Sequence, residues 1–220
     1  MRHMMVVLGL WTALLVSPAE AAGNDPSFAT FPPAGRLDYR IERGGDDIGS
    51  QTVEFMRNGE QLTVRTHISI VVTVLGIPVF RFTHDAEERW QNGHLIAFRS
   101  KSNDDGEPRA VALRLEGDRL RGTYNGQALD LPATLIPASL WRPDTVQQTV
   151  LLDPIKGRDR KITVVDKGME KIKVRGQMLG AHHYAMTGQI IRDIWYGPDG
   201  EIAQVRFPAK DGSQIQVVLR

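Results

Sequence analysis

The sequence predicts an all-β fold: a strongly curved antiparallel sheet or partly closed barrel of about a dozen strands, with one short helical or crossing segment. Three observations predict it. Two long runs between Leu62 and Trp90 alternate apolar and polar residues with the period of a strand. Tight-turn pairs such as Asn58-Gly59, Asn92-Gly93 and Asp211-Gly212 recur between short apolar runs. Almost nothing downstream of residue 36 has helical periodicity, and so many strands are too many for one flat sheet.

The N-terminal residues stand apart. Arg2 opens a short basic region, Val6 to Val16 is an apolar run of 11, and Ala19-Glu20-Ala21 precedes a cleavage point. Residues 1–21 are therefore expected to be a secretory signal peptide, too short in its apolar part to span a bilayer. The chain has no cysteine, which excludes a lipoprotein signal, disulfides and thiolate chemistry. Residues 22–35 read as a flexible tail. Residues 36–220 read as a single antiparallel β domain, large enough to fold on a hydrophobic core alone. No later stretch is apolar enough to span, so a soluble periplasmic or secreted product is expected. A net charge of +1 with 24% charged residues argues against a nucleic-acid partner.

The strands follow in order. Leu37, Tyr39 and Ile41 alternate before Gly44-Gly45-Asp46-Asp47, and Val53 and Phe55 before Asn58-Gly59. From Leu62 to Val74 the even positions are apolar or Thr, and the β-branched density suits a pleated surface. Leu75-Gly76-Ile77-Pro78 is the expected corner. Beyond it Phe80, Phe82, His84, Ala86, Glu88 and Trp90 share a face. Matching the two apolar faces places Val74 opposite Phe80, Ile70 opposite His84, Thr66 opposite Glu88 and His67 opposite Glu87.

A strand through Phe98 and another carrying Val111, Leu113 and Leu115 come next. Leu131 to Pro154 then holds Pro132, Pro137, Pro143 and Pro154, so it cannot be a central strand. It is expected to cross one end of the sheet, with a helical turn near Ala138 to Trp141. Short strands resume at Ile162 and Val164, Ile172 and Val174, Tyr184 to Thr187, Ile190 to Tyr196, Ala203 to Phe207 and Ile215 to Leu219.

Several segments carry a resemblance: Gly76-Ile77-Pro78-Val79-Phe80, Glu88-Arg89-Trp90, Ser139-Leu140-Trp141-Arg142-Pro143, His183-Tyr184, and Ile194-Trp195-Tyr196 with the turn after it. From roughly Arg36 to the end, the chain resembles an exported bacterial family catalogued as a domain of unknown function. It is more distantly similar to periplasmic families built as a curved antiparallel sheet. The resemblance implies a partly closed barrel and brings no catalytic residues.

No nucleophile elbow, zinc-protease motif, phosphate loop or calcium loop is present. The sharpest constellation is His84 with Glu88 or Glu87, near His67 and Trp90, where a carboxylate could orient an imidazole for acid-base work. Against it stands the emergence of a buried strand face at the rim. His182 and His183 point to opposite faces of a strand and have no third ligand nearby, so no metal and no cofactor is expected. Trp90, Leu140, Trp141, Trp195 and Tyr196 are candidates to bury an apolar or amphiphilic ligand at the barrel mouth, or simply core. Eight basic residues lie between Lys156 and Arg175 against three acids. Of these, Lys156, Arg158, Lys171, Lys173 and Arg175 are candidates to meet an anion or lipid headgroup, or to guard sheet edges. Three function classes remain: non-enzymatic binding of a lipid or other amphiphile, an envelope structural or assembly role through a protein partner, and a hydrolase built on His84.

Overall fold

The computed structural model describes residues 35–220. The expected signal peptide and all but the last residue of the tail lie outside the described residues. One sheet of 14 antiparallel strands forms the fold. They are β1 (Arg36–Arg43), β2 (Asp46–Asn58), β3 (Gln61–Val74), β4 (Ile77–Gln91), β5 (His94–Asp104), β6 (Glu107–Glu116), β7 (Arg119–Tyr124), β8 (Gln127–Pro132), β9 (Val150–Leu152), β10 (Asp159–Val174), β11 (Gln177–Gly188), β12 (Arg192–Tyr196), β13 (Ile202–Pro208) and β14 (Gln214–Leu219).

The sheet is two meanders zipped together by the first and last strands. β1 pairs with β14, with Tyr39 opposite Leu219 and Ile41 opposite Val217. The order then runs outward to β8 on one side and β9 on the other. Those two edges are not laddered to each other, so the barrel is open. The chain between them, residues 133–149, crosses the gap and partly covers the free edge of β9. Ala138 N–H donates to Leu152 O at 2.9 Å and Leu152 N–H to Ile136 O at 2.8 Å. Gly157, just before β10, comes so close to Val111 and Leu129 that a Cβ there would lie 2.7 Å from the Leu129 side chain. Side-chain packing, not a hydrogen-bond ladder, brings the two edges together.

The alternation explains the core. Leu37, Tyr39, Ile41, Val53, Leu62 and Val64 are buried from one face of β1 to β3, and Trp90, Phe98, Leu113 and Leu120 from β4 to β7. Leu135, Leu140 and Trp141 from the crossing segment pack into the same cluster, so apolar side chains fill the interior. A buried side chain of this size contributes about 2 kcal/mol.

Three local expectations are corrected. The even-on-even pairing of β3 and β4 holds, but their register is displaced by two: Ile70 faces Phe82, Ile68 faces His84 and His67 faces Asp85. The turn is only Leu75-Gly76, both at positive φ, which suits a two-residue hairpin loop. A bulge then skips Val79. The helical turn lies over Pro143–Gln147 as a 3-10 turn, not at Ala138 to Trp141. Leu140 has φ of 65°, which no right-handed helix accepts, while Pro143 presets φ for the turn that it opens. Finally, Ile162 to Val174 is one strand, not two short ones, because Lys167-Gly168 forms a bulge opposite His183 and the ladder continues through it.

Candidate functional site

Three of the segments that carry the sequence resemblance, those holding Trp90, Trp141 and Tyr196, meet around one carboxylate and the chain it anchors. Glu88 points inward from β4 and is 1% exposed. Its Oε2 accepts the indole N–H of Trp90 at 2.9 Å and that of Trp141 at 3.0 Å. Oε1 is buried with no hydrogen bond completed. Burial pushes the Glu88 carboxyl above its usual range, with Trp141, Ser139, Trp90 and Arg142 opposing that shift. The two indoles meet edge to face at 5.9 Å, and the Arg142 guanidinium lies over Trp90 at 4.3 Å. Tyr196 closes the cluster by donating its hydroxyl to Leu140 O at 2.7 Å, with Arg142 O at 3.1 Å. This arrangement anchors the crossing segment with buried side chains.

The remaining sequence candidates fall elsewhere. His84 is bonded through Nδ1 to Ser102 Oγ at 2.7 Å and to neither glutamate. Burial, outweighing Asp85 and Asp153, pushes its imidazole down to about 4. Glu87 faces the opposite side of β4, held by Arg65, Arg89 and Arg99. His67 pairs with Asp85 at 2.7 Å. These positions supply no shared acid-base pair.

His182 and His183 do part to opposite faces. His182 bonds Asp166 at 2.6 Å and stacks on Tyr184. His183 lies between Glu170 at 2.8 Å and Asp193 at 3.0 Å and stacks on Trp195 at 4.3 Å. Both ring nitrogens can donate only in the protonated ring. Trp195 completes the square by donating to Glu170 at 2.9 Å. No cluster of three or more His, Cys, Asp or Glu among the described residues could hold a metal.

The basic candidates do not form one surface. Lys156 and Arg158 precede β10, whereas Lys171 and Lys173 lie near its far end and Arg175 in the turn beyond it. Residues 159–170 of one continuous strand lie between the two groups.

Trp90, Leu140, Trp141, Trp195 and Tyr196 are all 8% exposed or less. Of these, Leu140 lines an opening. It borders a pocket of about 380 Å³ between the crossing segment and the ends of β11 to β13, with Ala138, Pro154, Ile155, Ile190 and Pro208 on its walls. Arg192 lines the same pocket. Its guanidinium lies over the Phe207 ring at 4.1 Å and donates to Ile191 O at 2.7 Å. Burial lowers its pKa to about 10, opposed by the field of Asp153. Asp153 is itself occupied: it accepts the backbone N–H groups of Ile155 and Lys156 and the side chain of Arg160. No carboxylate among the described residues lies within ion-pair distance of Arg192, so its charge is unpaired beside a mostly apolar lining that also holds Asp153, Arg160 and Gln189.

Arg192 shares its parity with Ile190, Ile194 and Tyr196. An arginine on the inward side of an apolar strand is the signal by which the sequence marks it.

Residues 39–220 match a family described as a domain of unknown function (DUF6134). Among solved structures the chain is similar to a beta-barrel-like protein of a domain of unknown function, DUF1849, from Brucella abortus. The identity is 15% and the TM-score 0.57, over 84% of this chain and 94% of that one. At that identity the likeness shows the fold. No curated protein matches.

Proposed function

The chain belongs to the DUF6134 family, and from that premise we propose that it is an exported, non-enzymatic binder of an anionic amphiphile. The ligand's tail lies against Leu140, Ile155 and Ile190, and its headgroup meets Arg192. One observation carries this reading: a half-buried guanidinium without a carboxylate in ion-pair contact, in a mostly apolar pocket of about 380 Å³ whose polar lining is completed by Asp153, Arg160 and Gln189. That volume is of the order of known ligand pockets, roughly 300 Å³ upward. A guanidinium so placed is costly unless an anion joins it. The filled interior supports a small site at the barrel end, not a ligand swallowed whole.

Native mass spectrometry of protein purified gently from its own host is expected to show a retained lipid-sized adduct, depleted in Arg192→Gln. A clean apo mass for the wild type removes the proposal. Cell fractionation of the full chain tests export separately, with the protein expected outside the inner membrane. No helix among the described residues is long and apolar enough to cross a membrane.

A second reading, assembly with an envelope protein, is favoured by the tip of the β3–β4 hairpin. Pairing with β2 ends at Ile70 and pairing with β5 at Phe82, so both edges of the tip are open. Leu75 there is 98% exposed, beside exposed Val74, Ile77 and Val79. Open edges and apolar side chains together suit a strand from a partner. Pull-down from envelope extract, with tip substitutions abolishing capture, would distinguish this reading from the first.

A further inference from the structure

A second opening lies on the face of the sheet turned away from the core, opposite the side on which Glu88 is buried. It is a groove of about 750 Å³. Its central feature is one row across the strands. Arg65 on β3 faces Glu87 on β4, Glu87 faces Arg99 on β5, Arg99 faces Ala112 on β6, and Ala112 faces Thr123 on β7.

Glu87 is only 6% exposed and accepts three guanidinium bonds: from Arg65 Nε at 3.0 Å, Arg99 Nη2 at 2.9 Å and Arg89 Nε at 3.0 Å. Burial acts to raise its pKa, and the bonds from Arg65, Arg99 and Arg89 outweigh it and hold the carboxyl below its usual range. The three arginines are each more than half exposed. One carboxylate cannot balance three guanidiniums, so the locus is left with excess positive charge. Each arginine also spends a single N–H on Glu87 and keeps its other donors free to turn outward.

The other charges facing the groove do not cancel this excess. Glu54 is bound to Arg36 at 2.9 Å; Asp85, hydrogen-bonded to His67 at 2.7 Å, offsets one positive charge, and Arg65, Arg99 and Lys101 still outnumber Asp85 and Glu87. Lys101 also lines the groove and has no carboxylate within ion-pair distance. Beyond the arginines the floor is small: Ala110, Ala112 and Thr123. A purely structural ion pair needs one arginine on Glu87. Ordering three long side chains on one carboxylate costs rotamer entropy that an exposed ion pair does not return.

We propose that this groove is a binding site for a phosphate-type oxyanion, received by Arg65, Arg99 and Lys101, with any uncharged remainder of the ligand lying over Ala110, Ala112 and Thr123. Glu87 is the positioning residue: it fixes the planes of the guanidiniums so that their forks are set before the anion arrives. The site is independent of the Arg192 pocket and stands or falls without it.

The test is a titration of the labelled protein with inorganic phosphate at low ionic strength, followed by backbone amide resonances, with chloride as the control. Saturable shifts are expected at Arg65, Arg99 and Ala112 with phosphate and not with chloride. An Arg65→Gln, Arg99→Gln double variant should weaken binding by about tenfold or more, as expected for loss of charge-assisted bonds. Lys101→Gln, at an exposed side chain, should weaken it less and keeps the test alive if the double variant fails to fold. A second arm uses phosphatidylcholine vesicles with and without phosphatidylglycerol. Association with the anionic vesicles that the double variant loses assigns the phosphate to a lipid headgroup; phosphate binding without vesicle association assigns it to a soluble ligand. Absence of saturation with phosphate together with absence of vesicle association overturns the proposal, as does unchanged binding in both variants.

Discussion

Trp141 donates its indole N–H to Glu88 across 53 positions of chain, at 3.0 Å, in the same carboxylate oxygen that receives Trp90. The bond ties the crossing segment to the central strand β4 and determines how the open barrel is plugged.

Two substitutions at Glu88 should move stability in opposite directions. Glu88→Ala strands two buried indole donors and opens a cavity, and should cost about 3 to 5 kcal/mol. Glu88→Gln keeps an acceptor for both indoles and removes a buried charge, so it should be neutral or stabilise by about 1 kcal/mol at neutral pH. The sign with pH follows from the raised carboxyl. Its contribution is fully present below the ordinary value of 4.5 and is lost as pH rises through the higher folded value. The advantage of Glu88→Gln should therefore shrink as pH is lowered, which urea unfolding at a series of pH values will measure.

His84 has the opposite dependence. Its folded imidazole is held near 4 against an ordinary 6.5, so between those values the unfolded chain binds the proton that the folded one refuses. Stability should fall as pH drops from about 6.5 toward 4, by about 3 kcal/mol at most. His84→Gln should flatten that part of the curve relative to the wild type. If the two unfolding midpoints run parallel over that range, His84 is not the group responsible.

The period-two pattern was enough to place β1 to β6 and to choose their inward faces, because alternation is set by the pleat itself. Register was less legible: the Leu75-Gly76 loop and the skipped Val79 shift the β3–β4 pairing by two without changing which face is apolar. Lys167-Gly168 has the composition of a turn and serves as a bulge, so one strand runs from Asp159 to Val174 where the apolar pattern suggests two short ones. The aromatic motifs stood out as residues, but their convergence on Glu88 depends on contacts 53 positions apart that no local pattern contains. Arg192 and the Arg65–Glu87–Arg99 row were visible only as parity, and parity does not say which charges end up paired.

The hairpin tip carries a separable local cost. Leu75 sits at φ of 51°, a left-handed conformation that Asn or Gly accepts more readily than Leu, and its side chain is almost wholly exposed. Leu75→Asn should raise stability by about 0.5 to 1 kcal/mol and reduce self-association. A lower thermal midpoint for the variant would mean that Leu75 makes a contact in solution that outweighs its backbone.

The crossing segment is held at a second point, and that point connects the core to the Arg192 pocket. Tyr196 from β12 reaches the carbonyls of Leu140 and Arg142, and Leu140, in a left-handed conformation at φ of 65°, also lines the pocket. Tyr196→Phe removes the donor while keeping the ring, and leaves two carbonyls without it, a loss of about 1 to 2 kcal/mol. Because Trp141 remains tied to Glu88, the loss should appear as local opening more than as global unfolding. Amide exchange should quicken around Leu140 to Asp144 while the strands β1 to β5 stay protected. An amphiphile at Arg192 should bind more weakly in this variant, through a looser wall and not through any lost charge. Protection of residues 140–144 equal to the wild type would show that the Glu88 anchor alone fixes the segment.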